Sequence, residues 1–321
     1  MKSKYNIILF LSFVLLFLSA EASDRVLCIT IGATKDKESF AVAEGSKKSL
    51  LYCNSIIAGI NRIDGVELTH KEIVGDDYTY EKISNIFNGI PRDFYDSIFV
   101  YIVGHASRKS SDTSTLPRLY ASNGGDFDSS HYYDLSEAYR KCDNSGADFV
   151  LFIADCCNKV QDRNFGTEAR FNKKYMASLG VNGPENTKAF KKLFLETRGR
   201  VYGCTASVGQ KSWLNNVDGS VYINAFKTVF RESISVSDNP SWKGIIAQSK
   251  SRTEMTSRKD YEFQSPNIVA DVFEEQEQHL AINNNYHNNV PNGAINHNRI
   301  MPAGSIAVSY THLTLPTTSR V

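Results

Sequence analysis

His105 and Cys157 stand out because each follows directly on a run of buried-strand residues. Ile98-Phe-Val-Tyr-Ile-Val103 leads through Gly104 to the histidine, and Phe149-Val-Leu-Phe-Ile-Ala154 leads through Asp155-Cys156 to the cysteine. In an open parallel sheet the reactive edge lies just beyond the carboxyl ends of the strands. Two residues 157 − 105 = 52 positions apart can therefore meet there. A thiolate is the competent nucleophile, and a neighbouring imidazole takes the thiol proton and later returns it to a leaving amine. Cys157 is thus the expected nucleophile and His105 the proton carrier. Main-chain amides aimed at the developing oxyanion contribute roughly 3 kcal/mol each. The other histidines are poorer candidates: His70 sits in an exposed-strand pattern, His131 in a polar loop, and His279, His287, His297 and His312 in or beside an Asn-rich end.

The elements that must carry these residues are legible as periodicities. Val26 to Ile31, followed by Gly32, reads as a buried strand, and Leu50, Cys53, Ile56, Ile57 and Ile60 then recur at helical spacing. Val66 to Val74 alternates as a more exposed strand. Ile83, Ile86, Phe87 and Ile90 mark a helix that stops at Pro91. After the strand at 97–103, a Ser/Asp/Gly-rich segment from Ser107 to Ser130 has no period. Tyr133 to Cys142 reads as a short helix before the strand ending at Ala154. An irregular stretch at 158–186 precedes a helix near Thr187 to Thr197, the strand Arg200 to Cys204, and a helix with Tyr222, Ala225, Phe226, Val229 and Phe230 on one face. This β-α alternation predicts a parallel sheet with helices on both faces, a doubly wound α/β domain.

The chain has 321 residues, 41% of them hydrophobic, enough for one α/β unit of about 250 residues with tails. Thirty-six basic against 35 acidic residues give a formal charge of +1. No basic stripe with interleaved aromatics offers a footing for nucleic acid or anionic lipid. Lys2 and Lys4, the apolar stretch Ile7 to Leu18 and Ala20-Glu21-Ala22 form a secretory signal pattern over residues 1–22, shorter than a spanning helix. The expectation is a secreted or vacuolar/lysosomal protein with no membrane contact after cleavage. Cys28 and Cys53 read as core thiols. From residue 273 to 307 the pattern fades into an Asn-rich tail expected to be disordered. Residues 308–321 contain a stretch that resembles a translated sequencing adapter, and no function is read from it. The single Asn-x-Ser sequon, at Asn239, is blocked by Pro240.

Tyr101-Ile-Val-Gly-His105 together with Ile153-Ala-Asp-Cys-Cys157 resembles the caspase-like cysteine peptidases, and among them the metacaspases, whose motifs run Tyr-Ser-Gly-His-Gly and Asp-Cys/Ser-Cys-His-Ser-Gly. The similarity extends over about residues 24–272 and includes Cys204-Thr-Ala-Ser-Val-Gly-Gln210 and Gln264-Ser-Pro266. It implies a caspase-like, mostly parallel doubly wound sheet and a cysteine endopeptidase acting on protein or peptide substrates, with no required cofactor. By position Cys157 takes the nucleophile's place and Cys156 the variable place, read as a buried filler. The backbone amides of Ala106 and Cys157 stand where the oxyanion hole belongs. Asp155 stands where the family lines the pocket for Arg or Lys before the scissile bond, although no second pocket aspartate occurs near Ser46 to Asn54.

The departures are Ala106 for glycine, Asn158 for histidine, and Lys159 and Val160 for small residues. They motivate a rival reading, an inactive caspase-like binding or regulatory module. The signal pattern motivates another, a legumain-like peptidase or transamidase. The 158–186 stretch carries Lys159, Arg163, Arg170, Lys173 and Lys174, where family members are cut during maturation, though a solvated basic loop would look the same. Asp112, Asp126, Asp128 and Asp134 raise calcium as a weak idea, since their spacing fails the EF-hand template. A zinc site from His105 and the adjacent cysteines lacks ligand spacing.

Overall fold

The central strands are apolar on both faces, as a sheet covered from both sides requires. The computed structural model describes residues 23–124, 129–160, 186–260 and 262–273. Strands β1 (Asp24–Gly32), β2 (Val66–Val74) and β3 (Ser97–Gly104) are followed by a small three-stranded sheet of β4 (Ala106–Ser107), β5 (Arg118–Tyr120) and β6 (Tyr132–Asp134). Strands β7 (Phe149–Cys156) and β8 (Arg198–Cys204) return to the main sheet. A two-residue ladder joins β9 (Leu214–Asn215) to β10 (Gly219–Ser220), and β11 (Asn267–Phe273) closes the edge. The main sheet has six strands in the order β11-β8-β7-β3-β1-β2. Every residue of β3 and β7 is buried, whereas in β2, at the far edge, only Ile73 is.

Helix α1 (Phe40–Ile60) begins where the Ser39 hydroxyl accepts the amide of Val42. It lays Leu50, Cys53, Ile56, Ile57 and Ile60 on one face of the sheet. The same face is covered by α4 (Thr187–Lys191), which runs on as a π-helical turn (Lys192–Glu196), and by α5 (Val221–Val236) and α6 (Trp242–Asp260). Helices α2 (Tyr80–Asn88) and α3 (Leu135–Asp143) cover the opposite face with Ile83, Phe87, Leu135, Ala138 and Cys142. The domain is therefore a doubly wound α/β sheet with helices on both faces.

Three features differ from the pattern reading. The ladder of β11 on β8 is antiparallel, while the pairings of β1, β2, β3, β7 and β8 are parallel. The aperiodic Ser107 to Ser130 segment contributes to the β4-β5-β6 sheet, whose short strands give no alternation to detect. Helix α6 is also absent from the apolar pattern because its buried face continues from Trp242, Ile245 and Ile246 into Ser249, Thr253 and Ser257. Ser249 and Thr253 satisfy their hydroxyls on the carbonyls four residues back, 2.7 and 2.8 Å away.

Among the described residues no helix is long and apolar enough to cross a membrane. The signal segment, residues 161–185, Asp126, Asp128 and the chain beyond Phe273 lie outside the described residues.

Candidate active site

Strands β3 and β7 pair in parallel from Ser97↔Phe149 to Gly104↔Cys156, a constant offset of 52. The offset returns at the isolated parallel bridge Arg108↔Val160, beside a hydrogen bond from the Arg108 amide to the Lys159 carbonyl at 3.0 Å. His105 and Cys157 share this offset and sit one position past the last rung. Register partners in a parallel ladder project to the same face. The backbone thus places His105 and Cys157 at matching positions just past the ends of two adjacent strands.

His105 is held from three directions. Its carbonyl accepts the amide of Tyr120 at 2.8 Å. Gly104 precedes it because a Cβ there would lie 2.6 Å from the Tyr78 hydroxyl, and that buried phenol is itself anchored on the Tyr120 carbonyl at 3.0 Å. Nε2 lies 3.2 Å from Asp36 Oδ2, at ion-pair distance though without hydrogen-bond alignment. The other oxygen of Asp36 accepts the amides of Glu38 and Ser39 at 3.0 and 2.6 Å, and the carboxylate has no exposed surface. Pattern reading missed Asp36, since Lys35-Asp36-Lys37-Glu38 looks like a solvated loop. The available signal is its place just past β1, beside the point where the strand order reverses.

The partly buried thiol of Cys157 donates to the Ser212 carbonyl at 3.7 Å. Burial pushes it up to about 11, against the opposing pull of a Ser212 backbone hydrogen bond and of Lys211. The resting sulfur is therefore protonated at neutral pH. Alkylation of Cys157 by iodoacetamide, followed by mass spectrometry of its peptide, should rise about tenfold per pH unit from pH 7 to 9, because only the thiolate reacts. A plateau below pH 8 would mean the thiol ionises far more easily than its surroundings allow.

Ala106 lies in β4 opposite Leu119 and is buried. Asp93 is the only non-glycine with positive φ among the described residues, so the methyl at 106 imposes no backbone strain. Because Tyr120 donates to the His105 carbonyl, the alternation of a β ladder turns the Ala106 amide to the opposite edge of β4, away from β5.

Asp155 is fully buried. Tyr101 donates its hydroxyl to Oδ2 at 2.7 Å, joined there by Ser220, while Thr205 and Ser212 donate to Oδ1 at 2.8 and 2.9 Å. Burial raises its pKa and the four hydroxyls work in the opposite direction. Gln264 extends the cluster through bonds from Nε2 to the Thr205 carbonyl and the Ser212 hydroxyl. Asp155 ties the end of β7 to the segment after β8 and to Ser220, the N-cap of α5.

Asn158 is equally buried, and its role is structural. Its amide nitrogen donates to the carbonyls of Thr115 and Ala206 at 2.8 and 3.1 Å, and its oxygen accepts from Arg108 at 3.1 Å. Arg108 also donates to the carbonyls of Asp112 and Ser114. The asparagine thus clamps two loops beside Cys157.

Two of the four aspartates considered for calcium are already engaged: Asp112 holds Arg118 at 2.8 Å, and Asp134 caps α3 through the amide of Ser136. No group of three His, Cys, Asp or Glu side chains suited to a metal ion occurs among the described residues. Cys156 is buried in the core, and the Cys204 thiol donates to its carbonyl.

No protein-family model matches the chain, and no curated protein matches it. Among solved structures it is similar to the crystal structure of caspase-1 from Spodoptera frugiperda, with 14% sequence identity and a TM-score of 0.45 over 78% of this chain and 89% of that one.

Proposed function

We propose that this chain is a cysteine endopeptidase in which Cys157 attacks the scissile carbonyl and His105 moves the proton. The observation that supports the reading is the offset of 52 shared by the β3–β7 ladder and the Arg108↔Val160 bridge, which is also the separation of His105 and Cys157. As sulfur attacks, its proton passes to the imidazole. The amides of Ala106 and Cys157 meet the oxyanion, and the imidazolium protonates the leaving amine. Water, deprotonated by His105, then hydrolyses the thioester. No cofactor enters these steps.

For the residue before the scissile bond the reading is Arg or Lys, with Asp155 as the recognising carboxylate. Burial disfavours its charge, so a cationic side chain that replaces hydroxyl donors there gains a charge-assisted bond. The departures that favoured an inactive module lose force: Ala106 costs no strain, and Asn158 has a structural role.

A fluorogenic peptide library scanned at the position before the cleaved bond tests this. Cleavage after Arg or Lys, abolished by a peptidyl electrophile that labels Cys157, is the expected result. Cleavage after Asn would favour the legumain-like alternative. No cleavage and no labelling would favour the binding module.

A further inference from the structure

We propose that Asp36 is a positioning residue that fixes the His105 ring, holding the proton on Nε2 and leaving the Nδ1 lone pair as the base for Cys157. The catalytic consequence rests on the peptidase reading above, whereas the effect on the ring does not. The sheet order β7-β3-β1 is the first argument. His105 extends from the middle strand, Cys157 from the strand on one side, and Asp36 follows the strand on the other. In the sheet order His105 thereby occupies the middle of the three positions.

The second argument is how firmly Asp36 is held. Oδ1 is fixed by the amides of Glu38 and Ser39, which orients Oδ2 toward Nε2 at 3.2 Å in a position closed to water. An acceptor-only oxygen at that distance, though not aligned as a hydrogen bond, opposes a lone pair on Nε2 and so favours the tautomer with hydrogen there. The third is charge: when the thiol proton arrives, the ring becomes a cation beside a desolvated carboxylate, so the interaction strengthens as the reaction proceeds. Lys35 and Lys37 flank Asp36 in sequence, but Lys35 is paired with Asp76 on the surface.

Asp36→Asn is the informative variant. Its carbonyl oxygen still accepts the two amides, while its NH2 faces Nε2 and demands a lone pair there, driving the proton to Nδ1. Turnover should fall by about 10³–10⁴-fold with KM changed less than about twofold, by analogy with loss of the orienting carboxylate in a nucleophile–histidine–aspartate site. Ring-¹⁵N spectra of the neutral histidines, with His105 identified by the signal lost in His105→Ala, should show Nε2–H in the wild-type chain and Nδ1–H in Asp36→Asn. Nδ1–H in the wild-type chain would overturn the proposal without any variant having to fold. A wild-type chain that cleaves peptides, with an Asp36→Asn variant of equal turnover and unchanged ring signals, would overturn it while sparing the peptidase reading. A tautomer exchange without peptidase activity in the wild-type chain would support the positioning role and remove the peptidase.

Discussion

Cys157→Ala is expected to lower kcat on any peptide the wild-type chain cleaves by at least about 10⁴-fold, leaving only catalysis from binding and the oxyanion amides. The thiol is partly buried and makes one long bond to the Ser212 carbonyl, so its loss should cost the fold no more than about 1 kcal/mol. Circular dichroism and thermal melting should therefore be nearly superimposable with the wild type. Cys156→Ala is the matched control, because it removes a core thiol one residue away that faces the opposite cluster. Retained activity in Cys157→Ala, or equal loss in both variants, would remove Cys157 as nucleophile.

Asp155→Ala should instead act on stability, by about 3–5 kcal/mol in urea or thermal unfolding. Four buried hydroxyls lose their acceptor, and only some can turn elsewhere. Thr205 and Ser212 lie 3.1 Å apart and can pair, and Ser220 still accepts the Ile223 amide at 2.8 Å, but the Tyr101 phenol is left facing a void. Asp155→Asn keeps one acceptor and the volume, so it should cost less. The pH dependence has a definite sign. A carboxyl raised by burial favours the protonated folded state, so its contribution is fully present below the ordinary carboxyl value of about 4 and is lost as pH rises through the higher folded value. Wild-type stability should fall relative to Asp155→Asn over that interval. A parallel pH dependence would show that Asp155 retains an ordinary carboxyl pKa.

The strand ends that precede His105 and follow Ala154 were legible in the sequence because buried parallel strands leave unbroken apolar runs. Asp36 was not legible for a related reason. Its partner is 69 residues away, and their meeting depends on β1 lying beside β3, a lateral order that no local period records. The shell around Asp155 comes from Tyr101, Thr205, Ser212 and Ser220, hydroxyl residues common enough on surfaces that nothing marks them as buried donors. Helix α6 escaped notice because hydroxyls paired to its own backbone replace hydrocarbon on its inner side. Asn158 read as a lost motif residue because the loops it fastens are 43 and 48 positions away.

The position of residues 161–185 between β7 and β8 has a consequence for a nicked chain. Asp36, His105 and Cys157 would all remain on the amino-terminal piece, while Thr205, Ser212 and Ser220 would belong to the carboxyl-terminal one. Asp155 would then stay with Cys157 while three of its four hydroxyl donors belong to the other polypeptide, the two pieces joined in part by the rungs from Phe149↔Gly199 to Ala154↔Cys204.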